Sequence, residues 1–246
     1  MPKFFIAASN IFGGMAYIEG KDAEHLRVLR LRRGEKLIVC DGEGNDYECR
    51  LTAVGPGSAE AEVVRVIPSR SEPDVSAQVY AAFPKGDKAE TIVQKSVELG
   101  ASRIVFFRSE RCVSRPDAAA IIKKLERWNK ISEEAAKQCG RASIPEVGIE
   151  QSFETMLEHA SQAQLGLFFW EEERQRSLKK TLEAAGDGIV SASIVTGPEG
   201  GFEKREAEAA EKAGLIPVSL GKRILRCETA PLCALAALMY HTNNLE

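Results

Sequence analysis

The chain has 246 residues, 44% hydrophobic and 28% charged, enough to bury one large core or two modest ones without a metal or disulfide staple. Its net charge of −3, from 33 basic and 36 acidic side chains, gives no bulk argument for nucleic-acid binding; only a local patch could make that case. The six cysteines form no C-x-x-C pair near histidine, so zinc spacing is absent, no metal is expected, and buried or half-buried free thiols are.

The start, MPKFFIAASN, lacks the pattern of a secretory leader, and no apolar run is long enough to span a bilayer. The expectation is a cytoplasmic protein with no membrane partner. The first seventy residues read as short strands between Gly, Asn and Asp turns: Phe4–Ala8, Met15–Glu19, Glu35–Asp41, Asp46–Val54 and Ala59–Ile67. One short helix, Lys21–Leu31, interrupts them, with Leu26, Leu29 and Val28 assigned to its inner face and Gly34 as its stop. A small β-barrel would close its own edges and suit an RNA-binding accessory module. The polar segment Pro68–Asp74 is the linker candidate.

Beyond the linker, strands and helices alternate. Strands are predicted at Val75–Phe83, Arg103–Arg108, Gln164–Trp170, Ala192–Gly197 and Leu215–Gly221. Helices are predicted at Lys88–Gly100, Asp117–Gly140, Ser177–Gly186, Phe202–Gly214 and Glu228–Thr242. This alternation implies an α/β fold with a parallel sheet covered on both faces, and ligands then bind beyond the carboxyl ends of strands.

Two such strand ends are unusual. TGPEGGF (Thr196–Phe202) places three glycines between a strand and a helix, where backbone can approach a ligand closely. It is neither G-x-G-x-x-G nor a Walker loop, so a dinucleotide or P-loop reading fails, and alone it could be a tight turn. SLGKRILRCETAP (Ser219–Pro231) leads from a strand end through an apolar loop to the last helix, with Thr229 as candidate N-cap and Pro231 in the first turn. Arg226 and Glu228 flank that helix start; a charged pair there is commonly a surface salt bridge of little worth.

Together the two loops resemble the cofactor site of the SPOUT methyltransferases. The whole chain resembles the bacterial family that methylates N3 of a uridine in small-subunit (16S) ribosomal RNA. The matching blocks are HLRVLR (His25–Arg30), KGDKAETIVQKSVELG (Lys85–Gly100), ERCV (Glu110–Val113), RWNKISEEAAKQCGR (Arg127–Arg141), GPEGGF (Gly197–Phe202) and LGKRILRCETA (Leu220–Ala230). Cys227 departs from the threonine or small residue expected there.

The resemblance implies a PUA-like β-barrel RNA-binding domain over residues 1–70. It further implies a SPOUT methyltransferase domain over residues 74–246 whose last helix threads a trefoil knot. S-adenosylmethionine would bind bent against Thr196, Gly197, Gly200, Leu220, Gly221, Ile224, Leu225 and Ala230. The partners would be 16S rRNA in an assembled small subunit and a second copy of the chain. The other readings are a related knotted enzyme acting on another rRNA or tRNA site, and a noncatalytic RNA-binding knot protein.

Methyl transfer from a sulfonium is an in-line displacement that relies on positioning, but uracil N3 carries a proton that must leave. Glu228 is a candidate acceptor if burial raises its pKa, and Arg226 a candidate stabiliser of the anion. Glu228 as a structural group near the helix start is an equal alternative. RNA contact is expected from His25, Arg27, Arg30, Arg32, Arg33 and Lys36, with Lys3, Lys85 and Lys88 as weaker candidates; a solvated face is the bland alternative. His159 and His241 read as ordinary exposed or core-edge residues.

Overall fold

The computed structural model of the chain describes residues 1–68 and 71–245. Within the expected linker, Ser69 and Arg70 lie outside the described residues. The chain divides into two compact units, Met1–Glu72 with Ala136–Ile144, and Pro73–Ala135 with Pro145–Glu246.

In the first unit, six strands form one sheet. They are β1 (Lys3–Phe5), β2 (Ile11–Phe12), β3 (Met15–Glu19), β4 (Lys36–Cys40), β5 (Asn45–Val54) and β6 (Ser58–Pro68), in the order β1-β4-β5-β6-β3-β2. The β1–β4 pair is parallel and the others antiparallel. No hydrogen-bonded pairing joins β1 to β2 among the described residues. Alternate residues turn inward, so Ala16, Ile18, Leu37, Val39, Cys49 and Leu51 share one core.

Helix α1 (Gly20–Val28) closes this core with Ala23 and Leu26. It ends before the expected stop at Gly34: Arg30 turns to φ 55°, and Leu31 N–H donates back to the Leu26 carbonyl at 3.2 Å. Two inner-face assignments are corrected as well. Val28 is 77% and Leu29 44% exposed. Val28 lies two residues past Leu26, on the opposite side of the helix, and Leu29 sits where the chain already leaves it.

The segment 136–144 is held to this unit by Glu72. Its carboxylate accepts from the Arg141 guanidinium at 2.6 Å and from the Ala142 and Ser143 N–H groups at 2.8 and 3.1 Å. Burial pushes the Glu72 carboxyl up, but Arg141 and Ser143 outweigh it and hold it below the ordinary carboxylate value.

The second unit is an all-parallel sheet. Its strands are β7 (Ser76–Ala82), β8 (Arg103–Phe107), β9 (Glu146–Ile149), β10 (Leu165–Phe169), β11 (Ser191–Thr196) and β12 (Ile216–Val218), in the order β12-β10-β11-β7-β8-β9. The strands are short apolar runs buried on both faces, as in β10, where all five residues are buried. The helices are α2 (Lys88–Glu98), α3 (Ala118–Cys139), α4 (Phe153–Ala160), α5 (Leu178–Ala185), α6 (Lys204–Lys212) and α7 (Thr229–His241). Strand β9 and helix α4 are absent from the sequence reading. Four residues of EVGI give too short a pattern to recognise, although Ser152 and Thr155 form a capping box for α4. The strand order reverses beside β7 and β11, the place where open parallel sheets leave a crevice at their carboxyl ends.

Two of the six free cysteines, Cys139 and Cys233, are exposed, which corrects the uniform expectation of buried or half-buried thiols. Each lies on a helix face that the rest of the described chain leaves uncovered.

Candidate functional site

A cavity of about 510 Å3 opens at the carboxyl ends of β10, β11 and β12. Its first wall is the turn after β11. Gly201 N–H donates to the Pro198 carbonyl at 3.0 Å, and Gly201 adopts φ 69°, which favours glycine. Gly197 and Gly200 lie close to neighbours: a Cβ would fall 3.1 Å from the Phe202 ring and 3.0 Å from Arg111 Cβ respectively. Phe202 is the anchor of the turn, fully buried against Phe168 at 4.2 Å between ring centroids.

Glu206 of α6 fastens the same turn. Its buried carboxylate accepts from Glu203 N–H at 2.8 Å, from Glu110 N–H at 3.0 Å and from the Ser109 hydroxyl at 3.3 Å. Arg111 adds bonds to the Gly200 carbonyl at 3.1 Å and to Glu203 at 2.8 Å. The turn is thus braced before any ligand arrives.

The second wall is the loop from β12 to α7. Thr196, Gly197 and Gly200 from the first loop and Leu220, Gly221, Ile224, Leu225 and Ala230 from the second all line the cavity, as does Arg226. Arg226 is exposed, and its guanidinium has no ion-pair partner among the described residues. Glu228 is not among the lining residues. Glu228, rather than Thr229, occupies the cap position of α7, without a side-chain capping bond; Thr229 is the first helical residue.

Lys88, at the start of α2, ties the two loops together. Its ammonium lies 2.8 Å from Glu199 and 3.6 Å from Glu228. Burial raises the Glu228 carboxyl, but its own backbone N–H, the Cys227 thiol and Lys88 together hold it below the ordinary value. The condition set for Glu228 as a proton acceptor, a pKa raised by burial, is therefore not met. Cys227 behaves oppositely: burial and the bond to Glu228 push its thiol up to about 12. The sequence reading treated Lys88 only as a weak RNA contact, because nothing local shows that Glu199 and Glu228 converge on it.

A third wall, missed in the sequence, comes from the end of β10: Phe169, Trp170 and Glu171. The Trp170 indole N–H is buried and has no hydrogen-bond partner among the described residues. Glu171 accepts one long bond, from Phe202 N–H at 3.5 Å.

In the first unit, His25, Arg27, Arg30, Arg32 and Arg33 are all exposed on and after α1. Lys3 is different. It is 15% exposed, ion-paired to Asp46 at 2.9 Å and bonded to the Gly140 carbonyl at 3.0 Å, so it does not present a free charge to RNA as expected. Lys36 is likewise paired with Glu48 at 2.8 Å. His159 pairs with Glu150 and His241 with the Gly186 carbonyl. Among the described residues no group of three or more His, Cys, Asp or Glu is placed to hold a metal, and no helix is long and apolar enough to cross a membrane.

A parallel α/β unit with a glycine-braced cavity at the carboxyl ends of its strands, in a chain that also carries a small mixed sheet, is the architecture of an RNA methyltransferase. An RNA methyltransferase domain family matches residues 71–239, and an RNA methyltransferase PUA domain family matches residues 18–64. The chain is 34% identical over 232 residues to ribosomal RNA small subunit methyltransferase E of Bacillus subtilis, covering 93% of this chain and 91% of that protein. The crystal structure of the Neisseria gonorrhoeae protein of the same name, bound to S-adenosyl methionine, superposes with a TM-score of 0.79 at 32% identity over 97% of both chains. A putative methyltransferase from Legionella pneumophila in complex with the same cofactor gives 0.81 at 26% identity, covering 97% of this chain and 96% of that one. The chain belongs to the ribosomal RNA small subunit methyltransferase E family.

Proposed function

We propose that this protein transfers a methyl group from S-adenosylmethionine to N3 of a uridine in 16S rRNA. The observation that carries the proposal is the cavity itself. Eight residues from two stretches some twenty positions apart converge on one hollow of a size usual for small ligands, roughly 300–1,000 Å3. Main-chain groups and apolar side chains suit the adenosyl moiety, and the unpartnered Trp170 N–H adds a donor in the wall. The donor supplies an electrophilic methyl group: the N3–CH3 bond would form as the sulfur–CH3 bond breaks, S-adenosylhomocysteine would leave, and the N3 proton would pass to solvent. The remaining work falls to the chain: excluding water, orienting the uracil and stabilising charge at N3.

Arg226 is the group for that last task. It lines the cavity, is exposed to an incoming base and, among the described residues, carries a charge no carboxylate neutralises. Glu228, its carboxyl lowered by its own backbone N–H, the Cys227 thiol and Lys88, is a weak base and serves the loop geometry instead. The basic side chains His25, Arg27, Arg30, Arg32 and Arg33 supply phosphate contacts, consistent with residues 1–70 as the RNA-binding domain and 74–246 as the catalytic one. The reading places the protein in the cytoplasm, acting on an assembled small subunit, with α7 threaded through a knot. It also includes a homodimer. Helix α7 is apolar nearly all round, with Cys233 and Tyr240 exposed, and Ile224 beside it is 72% exposed; such a surface calls for a partner.

The test is nucleoside mass spectrometry of rRNA from cells lacking the protein, paired with the Arg226→Ala variant. The expected result is loss of 3-methyluridine, unrestored by the variant although it still binds the cofactor in calorimetry. Unchanged 3-methyluridine in the deletion strain would overturn the substrate; full restoration by Arg226→Ala would remove that residue from the mechanism.

A further inference from the structure

We propose that Glu171, at the carboxyl end of β10, accepts hydrogen bonds from the ribose hydroxyls of the adenosyl donor and so selects a ribonucleoside. The inference rests on the reading of the cavity as an S-adenosylmethionine site. Glu171 lines that cavity and is half-buried, yet no lysine, arginine or histidine lies within ion-pair distance of it among the described residues; Arg111, already bonded to Glu203, feels its charge only from farther away. A half-buried carboxylate with no bonded cation is costly unless donors satisfy it. One oxygen takes the long bond from Phe202 N–H, the other rests against Gly201 with no hydrogen-bond donor among the described residues, and the residue lines the cavity, so acceptor capacity remains for a ligand.

Its place in the sheet is equally specific. Strand β10 lies directly beside β11, with Phe169 paired to Thr196, so Glu171 stands next to the glycine turn that follows β11. In dinucleotide-binding parallel sheets an acidic residue at the end of a strand beside the glycine turn holds the ribose hydroxyls, and Glu171 occupies the comparable place here although the glycine spacing differs. The turn leaves room for it: a Cβ on Gly201 would lie 1.7 Å from Glu171 Oε1, so glycine there lets the carboxylate rest where it does. The α-ammonium of the donor is the competing occupant for a carboxylate, and the choice of probe separates the two.

The experiment is calorimetry on the full chain and its Glu171→Gln variant. The probes are S-adenosylmethionine, 5′-methylthioadenosine, which lacks the amino-acid end, and 2′-deoxy-5′-methylthioadenosine. Trp170 lines the cavity, so its emission in a Trp128→Phe background gives a second readout of occupancy. The expected result is a preference of about tenfold for the ribo- over the deoxynucleoside in the parent, abolished in Glu171→Gln. Equal preference in parent and variant overturns the proposal. Loss of affinity for S-adenosylmethionine alone, with 5′-methylthioadenosine unaffected, overturns it in favour of the α-ammonium. Failure of the parent to bind any of the three overturns the cofactor reading itself. A Glu171→Asp variant, which keeps the charge but shortens the reach, restores part of the preference if the diol is the partner; no restoration in a folded Asp variant counts against it.

Discussion

Lys88 Nζ and Glu199 Oε1 lie 2.8 Å apart, joining the first residue of α2 to the glycine-rich turn more than a hundred positions later. Lys85 N–H donates to the same oxygen at 3.0 Å. Both side chains are about three-quarters covered, so the pair is less screened than a surface bridge. Lys88→Met is expected to cost about 1 kcal/mol of stability and to weaken cofactor binding several-fold, because the turn loses its tie to α2. Thermal unfolding and calorimetry check both parts; unchanged affinity would show that the turn holds its shape without the lysine.

Gly201→Ala is expected to be worse. The new methyl would overlap the Glu171 carboxylate, and alanine at φ 69° adds about 1 kcal/mol of backbone strain. The carboxylate can swing aside at small cost, so the total loss should be about 1–2 kcal/mol, most of it from the backbone. In a Glu171→Ala background the overlap disappears and only the backbone share remains. A double-mutant cycle by chemical denaturation measures that difference.

Acid should loosen the cofactor cavity late. Burial pushes the Glu199 carboxyl up, but Lys88, Lys85 N–H and its own backbone N–H outweigh this and hold it at about 2. A carboxyl depressed in the folded state stabilises above its unfolded value near 4.5, and that stabilisation fades as pH falls towards 2. Between pH 5 and pH 2 the parent is therefore expected to lose more stability than Glu199→Gln. Parallel pH–stability curves for the two would rule out this linkage.

The thiols should divide into two reactivity classes. Burial pushes Cys40 and Cys49 up to about 11, and Cys227, with help from Glu228, up to about 12, while Cys139 and Cys233 are exposed. Alkylation of the native protein at pH 8 followed by peptide mapping should label Cys139 before Cys40, Cys49 and Cys227, with Cys233 labelled early only if the α7 surface is not covered by a second copy. Because the unfolded chain ionises near 9, each raised thiol also makes the fold less stable as pH climbs from about 9 towards 11 or 12.

Much of the chain was legible from its periodicity. Runs such as RIVFF and SASIVT are apolar because both faces of a parallel sheet are buried, and the glycine-rich turn after Thr196 stands out because a close backbone approach excludes side chains. The strand of Glu146–Ile149 and the helix of Phe153–Ala160 did not stand out, since so few residues carry no period. The inner face of the first helix was overextended because a leucine at the right spacing looks the same whether the chain continues or turns away.

By itself, the sequence determined the α/β class and the two glycine- and arginine-bearing loops, consequences of local pattern, while the residues of those loops that line the cavity followed from the family resemblance. Only the tertiary structure decided that Lys88 holds Glu199 and Glu228, that Lys3 is already engaged by Asp46, and that the end of β10 brings Glu171 to the third wall. The physical reason is that a charge is defined by its neighbours, and strand order in a parallel sheet places neighbours that chain order keeps far apart.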